Sequence, residues 1–129
     1  MSNHRGGTGY GSRIVAEGKQ MAGKSGTSQV RSVVVRNQDV PWEERDHALF
    51  VAFAPFDNPR YAVSVVVEHG GGGSAAAAPV ARDVLLQAMY EGFPPMDAYP
   101  SSDRWKIEEM RKKLPLRNEL VASAKLDRA

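Results

Sequence analysis

Lys24, Ser25 and Thr27 are the side chains of this sequence best suited by type and spacing to act together. A short apolar lead, Met21-Ala22-Gly23, runs into Lys24-Ser25-Gly26-Thr27, and polarity then alternates through Ser28 and Gln29 to Val30. Alternation with period 2 marks a β-strand. The segment is therefore read as a strand that carries a cation and two hydroxyls on one exposed edge, with Ser25, Thr27 and Gln29 sharing a face. A cation beside hydroxyl donors suits an anionic ligand, because hydrogen bonds to a charged partner are the strong ones.

The same stretch admits a rival. Gly18-Lys19-Gln20-Met21-Ala22-Gly23-Lys24-Ser25 matches the phosphate-loop pattern G-x-x-x-x-G-K-[ST]. That pattern cradles phosphate only where a strand leads into it and a helix leaves it, because the helix N-terminus holds the anion. Here Gly26-Thr27-Ser28-Gln29-Val30 follows. Glycine and β-branched residues are poor helix formers, and the latter favour strands. A nucleotide-binding protein built on residues 18–25 stays the alternative, and a helix starting at Lys24 or Ser25 would establish it.

The elements that must position these residues are few. The chain has 129 residues, enough for one domain at most. Hydrophobic residues make up 42% and charged residues 25%, an ordinary globular balance. A net charge of +2 gives no case for nucleic acid. No cysteine is present, which excludes disulfides and thiolate metal sites. No apolar run approaches the ~18 residues of a membrane-span candidate, and Met1 to Gly7 has no apolar core of a secretory signal.

Residues 1–20 are rich in Gly, Ser and basic residues and read as an unanchored arm leading into the sheet. Residues 48–56 and 61–67 are apolar on both faces, so they are predicted as strands covered on both sides. Asp57-Asn58-Pro59-Arg60 between them is turn chemistry and makes them a hairpin. Gly70 to Gly73 breaks the chain, and glycine there serves a tight strand-to-helix passage better than a phosphate loop. A helix from about Ser74 to Glu91 is predicted to pack Val80, Val84 and Leu85 on the sheet, with Pro79 tolerated near its first turn. Residues 93–129 form a charged, proline-containing tail, expected to be mobile or lightly docked. A short helix in it is capped by Ser102 or Asp103 and closed by Pro115. His4, His47 and His69 show no metal-ligand spacing and read as isolated.

Four stretches in this order resemble the C-terminal end of a penicillin-binding protein transpeptidase domain, most of all in the elongation-specific class B enzymes of type 2. They are Gly7-Thr8-Gly9; Ala22 to Val30, with its Lys-Ser-Gly triplet; Arg45-Asp46-His47 through Ala54-Pro55; and Val67-Glu68-His69-Gly70 through Ser74, with Pro79-Val80-Ala81 beyond. The triplet alone is weak, and serine β-lactamases share it; the stretch Arg45 to Pro55 favours a transpeptidase. The resemblance covers about residues 7–92. It implies an α+β fold, in which three antiparallel strands form part of a five-stranded transpeptidase/β-lactamase-like sheet with a C-terminal helix packed on it. The implied organisation is an arm at 1–20, the C-terminal part of the catalytic domain at 21–92 and the tail at 93–129.

The resemblance also implies roles. The family is similar in acting as a D,D-transpeptidase that cross-links peptidoglycan stem peptides through an acyl-serine. By that likeness Lys24 supplies positive field to the terminal carboxylate of the stem peptide, and Ser25 and Thr27 supply hydroxyls. The backbone N–H of Thr27 is one oxyanion donor, Gly26 lets the ligand lie close to the strand, and Gln29 lines the same half-site. β-Lactams occupy that half-site too. Beside these roles stand plainer ones: Lys24 as a lysine guarding a strand edge, and Gln29 as a solvent-facing strand residue. The family calls for no cofactor and no metal. It works at the periplasmic face of the bacterial inner membrane, with an anchor that this chain does not show. One departure is large: no serine here has Lys three residues on or Asn two residues on. The nucleophile motif Ser-x-x-Lys and the partner motif Ser-x-Asn are thus expected in a missing N-terminal part of the same domain. On that reading Met1 opens a fragment, inactive alone.

Overall fold

A computed structural model of the chain describes residues 5–32, 36 and 39–113, and the structural statements below concern these. The alternating and apolar runs become three strands, β1 (Ala22–Ser28), β2 (His47–Ala54) and β3 (Tyr61–Val67), in one antiparallel sheet of order β1-β2-β3. Ser25 lies opposite Phe50, and Phe50 opposite Val65. The turn chemistry at 57–60 makes the expected hairpin, closed by the Arg60 N–H donating to the Ala54 carbonyl at 3.1 Å. The strand through Lys24 and Ser25 removes the phosphate-loop alternative, because no helix begins there to hold a phosphate.

One face of the sheet is covered. Ala48, Phe50, Ala52 and Ala54 alternate onto it and are at most 6% exposed. Against them packs helix α1 (Ala78–Met89), entered through a π-helical turn at Gly73–Ala77. The helix starts later than the sequence suggests, and its buried face differs. Ala78, Ala81, Arg82, Leu85 and Leu86 are buried, while Val80 and Val84 are 44% and 49% exposed. Alanine lets the helix axis approach the sheet closely, so the small residues occupy the contact and the two valines turn outward. Leu85 alone of the three predicted residues packs as expected.

The opposite face is largely open among the described residues. Val51, Phe53 and Val66 are 52%, 37% and 58% exposed on it, and Phe56 stacks on Phe53 at 6.3 Å between ring centroids. The expectation that both faces of the hairpin are covered therefore holds for one of them among the described residues.

Gly73 explains how the chain turns from sheet to helix. It sits over the Gly26–Leu49 pair of β1 and β2, where an added Cβ would press on the Leu49 carbonyl oxygen and lie 2.6 Å from that of Gly26. Gly71 has φ +86, a conformation glycine adopts without strain. The Gly71 N–H also donates to the Asp46 carbonyl at 3.0 Å, so the passage is pinned rather than a loose break.

The two ends are seated more firmly than their composition indicates. Ile14 is fully buried, Ser12 is 6% exposed, and the Val15 N–H donates to the Ala98 carbonyl at 2.8 Å. Residues 5–20 are thus no unanchored arm. In the tail, residues 104–113 are helical (α2) and Ile107 is buried. Arg82 of α1, 3% exposed, donates to Asp83 at 2.9 Å and to Asp103 at 2.6 Å. Arg111 donates to the Pro94 carbonyl and lies over the Phe93 ring at 5.0 Å. Residues 93–113 are docked, not mobile. The predicted closure at Pro115 and the rest of the tail lie outside the described residues.

Candidate functional site

β1 is an edge strand of the described sheet, and pairing assigns each of its side chains to a face. Ser25 opposes Phe50 and Thr27 opposes Ala48, so both belong to the face on which α1 packs. Lys24 opposes Val51 and Gly26 opposes Leu49, so both belong to the uncovered face. The cation and the two hydroxyls therefore leave the strand on opposite faces and can meet only around its outer edge. Lys24 already bends that way, its Nζ donating to the Ser25 carbonyl at 2.6 Å. Gln29, predicted to continue the face of Ser25 and Thr27, lies one residue past the end of β1 and is exposed.

Two glycines shape this strand. Gly23 gives Phe50 its place, since a Cβ there would lie 2.6 Å from the edge of the Phe50 ring. Gly26 faces the uncovered side, where a Cβ would make only ordinary contact with Leu49 at 3.5 Å. Lys24 borders an open cavity of about 660 Å³ on that side, lined by Ala22, Val51, Phe53, Ala62 and Ser64 among others. Its lining is almost wholly apolar, and Lys24 is the one charged residue among those that line it.

A hydroxyl pair that sequence reasoning did not anticipate adjoins this strand. Thr8 Oγ1 lies 3.1 Å from Ser25 Oγ, although the two residues are seventeen apart in the chain. A second missed grouping sits at the far end of β2. His47 and His69, read as isolated, have ring centroids 4.6 Å apart. The His69 N–H donates to His47 Nδ1 at 2.9 Å, and His69 Nδ1 is 2.9 Å from the Arg45 carbonyl. Trp42 rests on His69 at 4.5 Å. His69 has φ 52, so this bonding holds a left-handed residue at the strand exit. Spacing carried no signal for either grouping, because both join segments well separated in sequence. His4 lies outside the described residues.

With a strand bearing Lys-Ser-Gly, a hairpin and a glycine passage into a helix, the geometry is that of the catalytic-domain sheet expected above. A family model for the penicillin-binding protein transpeptidase domain matches residues 2–86, and the chain belongs to that family. Among its relatives is a peptidoglycan D,D-transpeptidase MrdA of Haemophilus influenzae, 40% identical over 84 residues, which are 62% of this chain and 13% of the relative. The MrdA of Salmonella typhimurium is 41% identical over 90 residues, 66% of this chain and 14% of the relative. A solved complex between the penicillin-binding protein PBP2 and MreC from Helicobacter pylori superposes with a TM-score of 0.50 at 36% identity, covering 62% of this chain and 14% of that one. The three antiparallel strands with a following helix are thus part of a penicillin-binding transpeptidase fold. The chain spans about a seventh of the length of these relatives.

Proposed function

We propose that this chain is the C-terminal portion of a peptidoglycan D,D-transpeptidase domain, and that β1 forms its substrate-carboxylate and oxyanion wall. The observation that carries the reading is Lys24, which leaves β1 on the largely open apolar face of the sheet, on the strand that the family match includes. In this reading the remaining part of the domain covers that face and brings the acylated serine up to the strand. Lys24 supplies the positive field for the stem-peptide carboxylate, and the hydroxyls of Ser25 and Thr27 donate to it around the strand edge. The Thr27 N–H donates to the carbonyl oxygen as it becomes tetrahedral, a role in which preorganised donors are most effective. Gly26 keeps the wall flat, and Gln29 extends it past the strand. β-Lactams are the second ligand class, since they offer a carboxylate and an acyl carbonyl to the same half-site.

The proposed division is residues 1–20 leading into the sheet, 21–92 as the catalytic-domain portion and 93–129 as an extension. The likeness to MrdA supports reading the intact protein as a bacterial wall-building enzyme, and the proposed site of action is the periplasmic face of the inner membrane; among the described residues no helix is long and apolar enough to cross a membrane.

Fluorescent penicillin tests the reading. Without a Ser-x-x-Lys motif there is no acylatable serine of the family type, and covalent catalysis cannot be replaced by half an oxyanion hole. The isolated chain is expected to form no covalent adduct. An NMR titration with N-acetyl-D-alanyl-D-alanine is expected to perturb the amides of residues 24–27. Lys24→Ala should weaken that binding by at least about tenfold, the scale of a lost charge-assisted hydrogen bond. A stable covalent penicillin adduct, or titration shifts confined to other residues, would refute the assignment.

A further inference from the structure

The Gly7-Thr8-Gly9 stretch has no part in the roles above, yet the structure brings its threonine onto the functional strand. Thr8 Oγ1 is 3.1 Å from Ser25 Oγ. The segment that presents Thr8 is fixed on both sides. The Tyr10 N–H donates to the Gly7 carbonyl at 3.1 Å and the Ser12 N–H to the Gly9 carbonyl at 3.0 Å. Gly9 is buried, and just beyond it Ser12 and Ile14 are buried as well. Thr8 is therefore held against β1 by a short turn rather than resting there on a loose end.

We propose that Thr8 is a positioning residue for the Ser25 hydroxyl, and through it for the substrate carboxylate. The inference rests on the carboxylate reading of β1 given above. A serine hydroxyl has one proton to give and lone pairs that accept. A carboxylate is an acceptor only. When Ser25 donates its proton to the carboxylate, the proton in the Thr8–Ser25 bond must come from Thr8. Thr8 then donates to Ser25 Oγ, which aims the Ser25 O–H away from Thr8 and polarises it, since hydrogen bonds in a chain strengthen one another. Ser25 does the binding; Thr8 restricts its rotamer and the direction of its proton.

The test is a double-mutant cycle on the full chain, read by NMR titration with N-acetyl-D-alanyl-D-alanine and with its C-terminal amide as the uncharged control. Thr8→Val keeps the shape of the side chain and removes the hydroxyl. It is expected to weaken binding of the acid by about fivefold, the scale of one neutral hydrogen bond. Thr8→Ser restores the hydroxyl and is expected to restore binding. In a Ser25→Ala background Thr8→Val should have no further effect, because coupling is the mark of residues that act through each other. A merely structural Thr8 would weaken acid and amide alike and would do so in both backgrounds. Equal weakening in the two backgrounds, or none in either, overturns the role of Thr8 while leaving the carboxylate reading intact. Unchanged binding on Ser25→Ala and Lys24→Ala, or no perturbation of residues 24–27 in the unmodified chain, overturns the carboxylate reading and this proposal with it.

Discussion

At the scale of single residues, Gly73 sets how the chain seats on β1 and β2. Gly73→Ala would drive a methyl group into the Leu49 carbonyl and the Gly26 backbone, neither of which has a flexible end to move aside. Overpacking of this kind costs typically about 1–3 kcal/mol. The variant should melt lower, and NMR should show shifts centred on Gly26 and Leu49; an unchanged melting temperature would show that the passage relaxes freely. Gly26→Ala is the matched control, because its methyl would meet Leu49 only at ordinary contact distance. The identity of Lys24, Ser25, Gly26 and Thr27 as a strand was legible from alternation alone. Their placement on one exposed edge was legible in the same pattern; that they must meet around that edge was not, because Lys24 leaves on one face and Ser25 and Thr27 on the other. Thr8 is noted within Gly7-Thr8-Gly9, but its contact with Ser25 escaped notice for a different reason. A contact between hydroxyls seventeen residues apart depends on how a buried turn packs, and local pattern carries no trace of it.

At the scale of elements, helix α1 is held from two sides, by the sheet and by residues 93–113. Arg82 is the link, with Asp83 on its own helix and Asp103 from the tail. Asp103→Asn weakens the partner of a buried guanidinium and should cost about 2 kcal/mol, the scale of a charged hydrogen bond. Limited proteolysis should then cut between residues 93 and 113 faster than in the unmodified chain. Asp83 adds a pH dependence of defined sign. Burial raises its carboxyl above the ordinary value, and the Arg82 charge and hydrogen bond offset this only in part. Folding therefore favours the protonated acid. The stabilisation from this group is present below the ordinary Asp range and is lost as pH rises through the raised folded value. Melting temperature measured across that acid window should fall with rising pH by more in the unmodified chain than in Asp83→Asn; identical slopes would remove Asp83 as the cause. This clamp was hidden from the sequence because Arg82 falls at a helical position that periodicity reads as polar and exposed. The buried face of α1 was misjudged for a related reason: valines draw attention as core residues, whereas close approach to the sheet selects Ala78 and Ala81.

At the scale of the whole molecule, the uncovered sheet face and the free edge of β3 together govern how the chain behaves alone. β3 is an outer strand of the described sheet and reads Tyr61-Ala62-Val63-Ser64-Val65-Val66-Val67 without proline or lysine. Such an edge is a template for pairing with another chain. The adjoining face exposes Val51, Phe53 and Val66 together, and contiguous exposed apolar surface is characteristic of an interaction site. In the proposed transpeptidase both are buried by the rest of the domain. The isolated chain is therefore expected to form concentration-dependent oligomers at concentrations on the order of micromolar, where exposed edges and apolar surface drive association. Two substitutions separate edge from face. Val65 packs toward the core, so a lysine there would disturb folding, whereas Val66 is exposed on β3 and Val51 is exposed on the central strand. Val66→Lys charges the edge strand and the face at once, while Val51→Lys charges only the face. If pairing at the β3 edge dominates, sedimentation velocity should show Val66→Lys shifted strongly to monomer and Val51→Lys only slightly. Equal shifts would assign the association to the apolar face, and a monomer over a hundredfold range of concentration in the unmodified chain would show that neither surface is sticky enough to need the cover proposed for it.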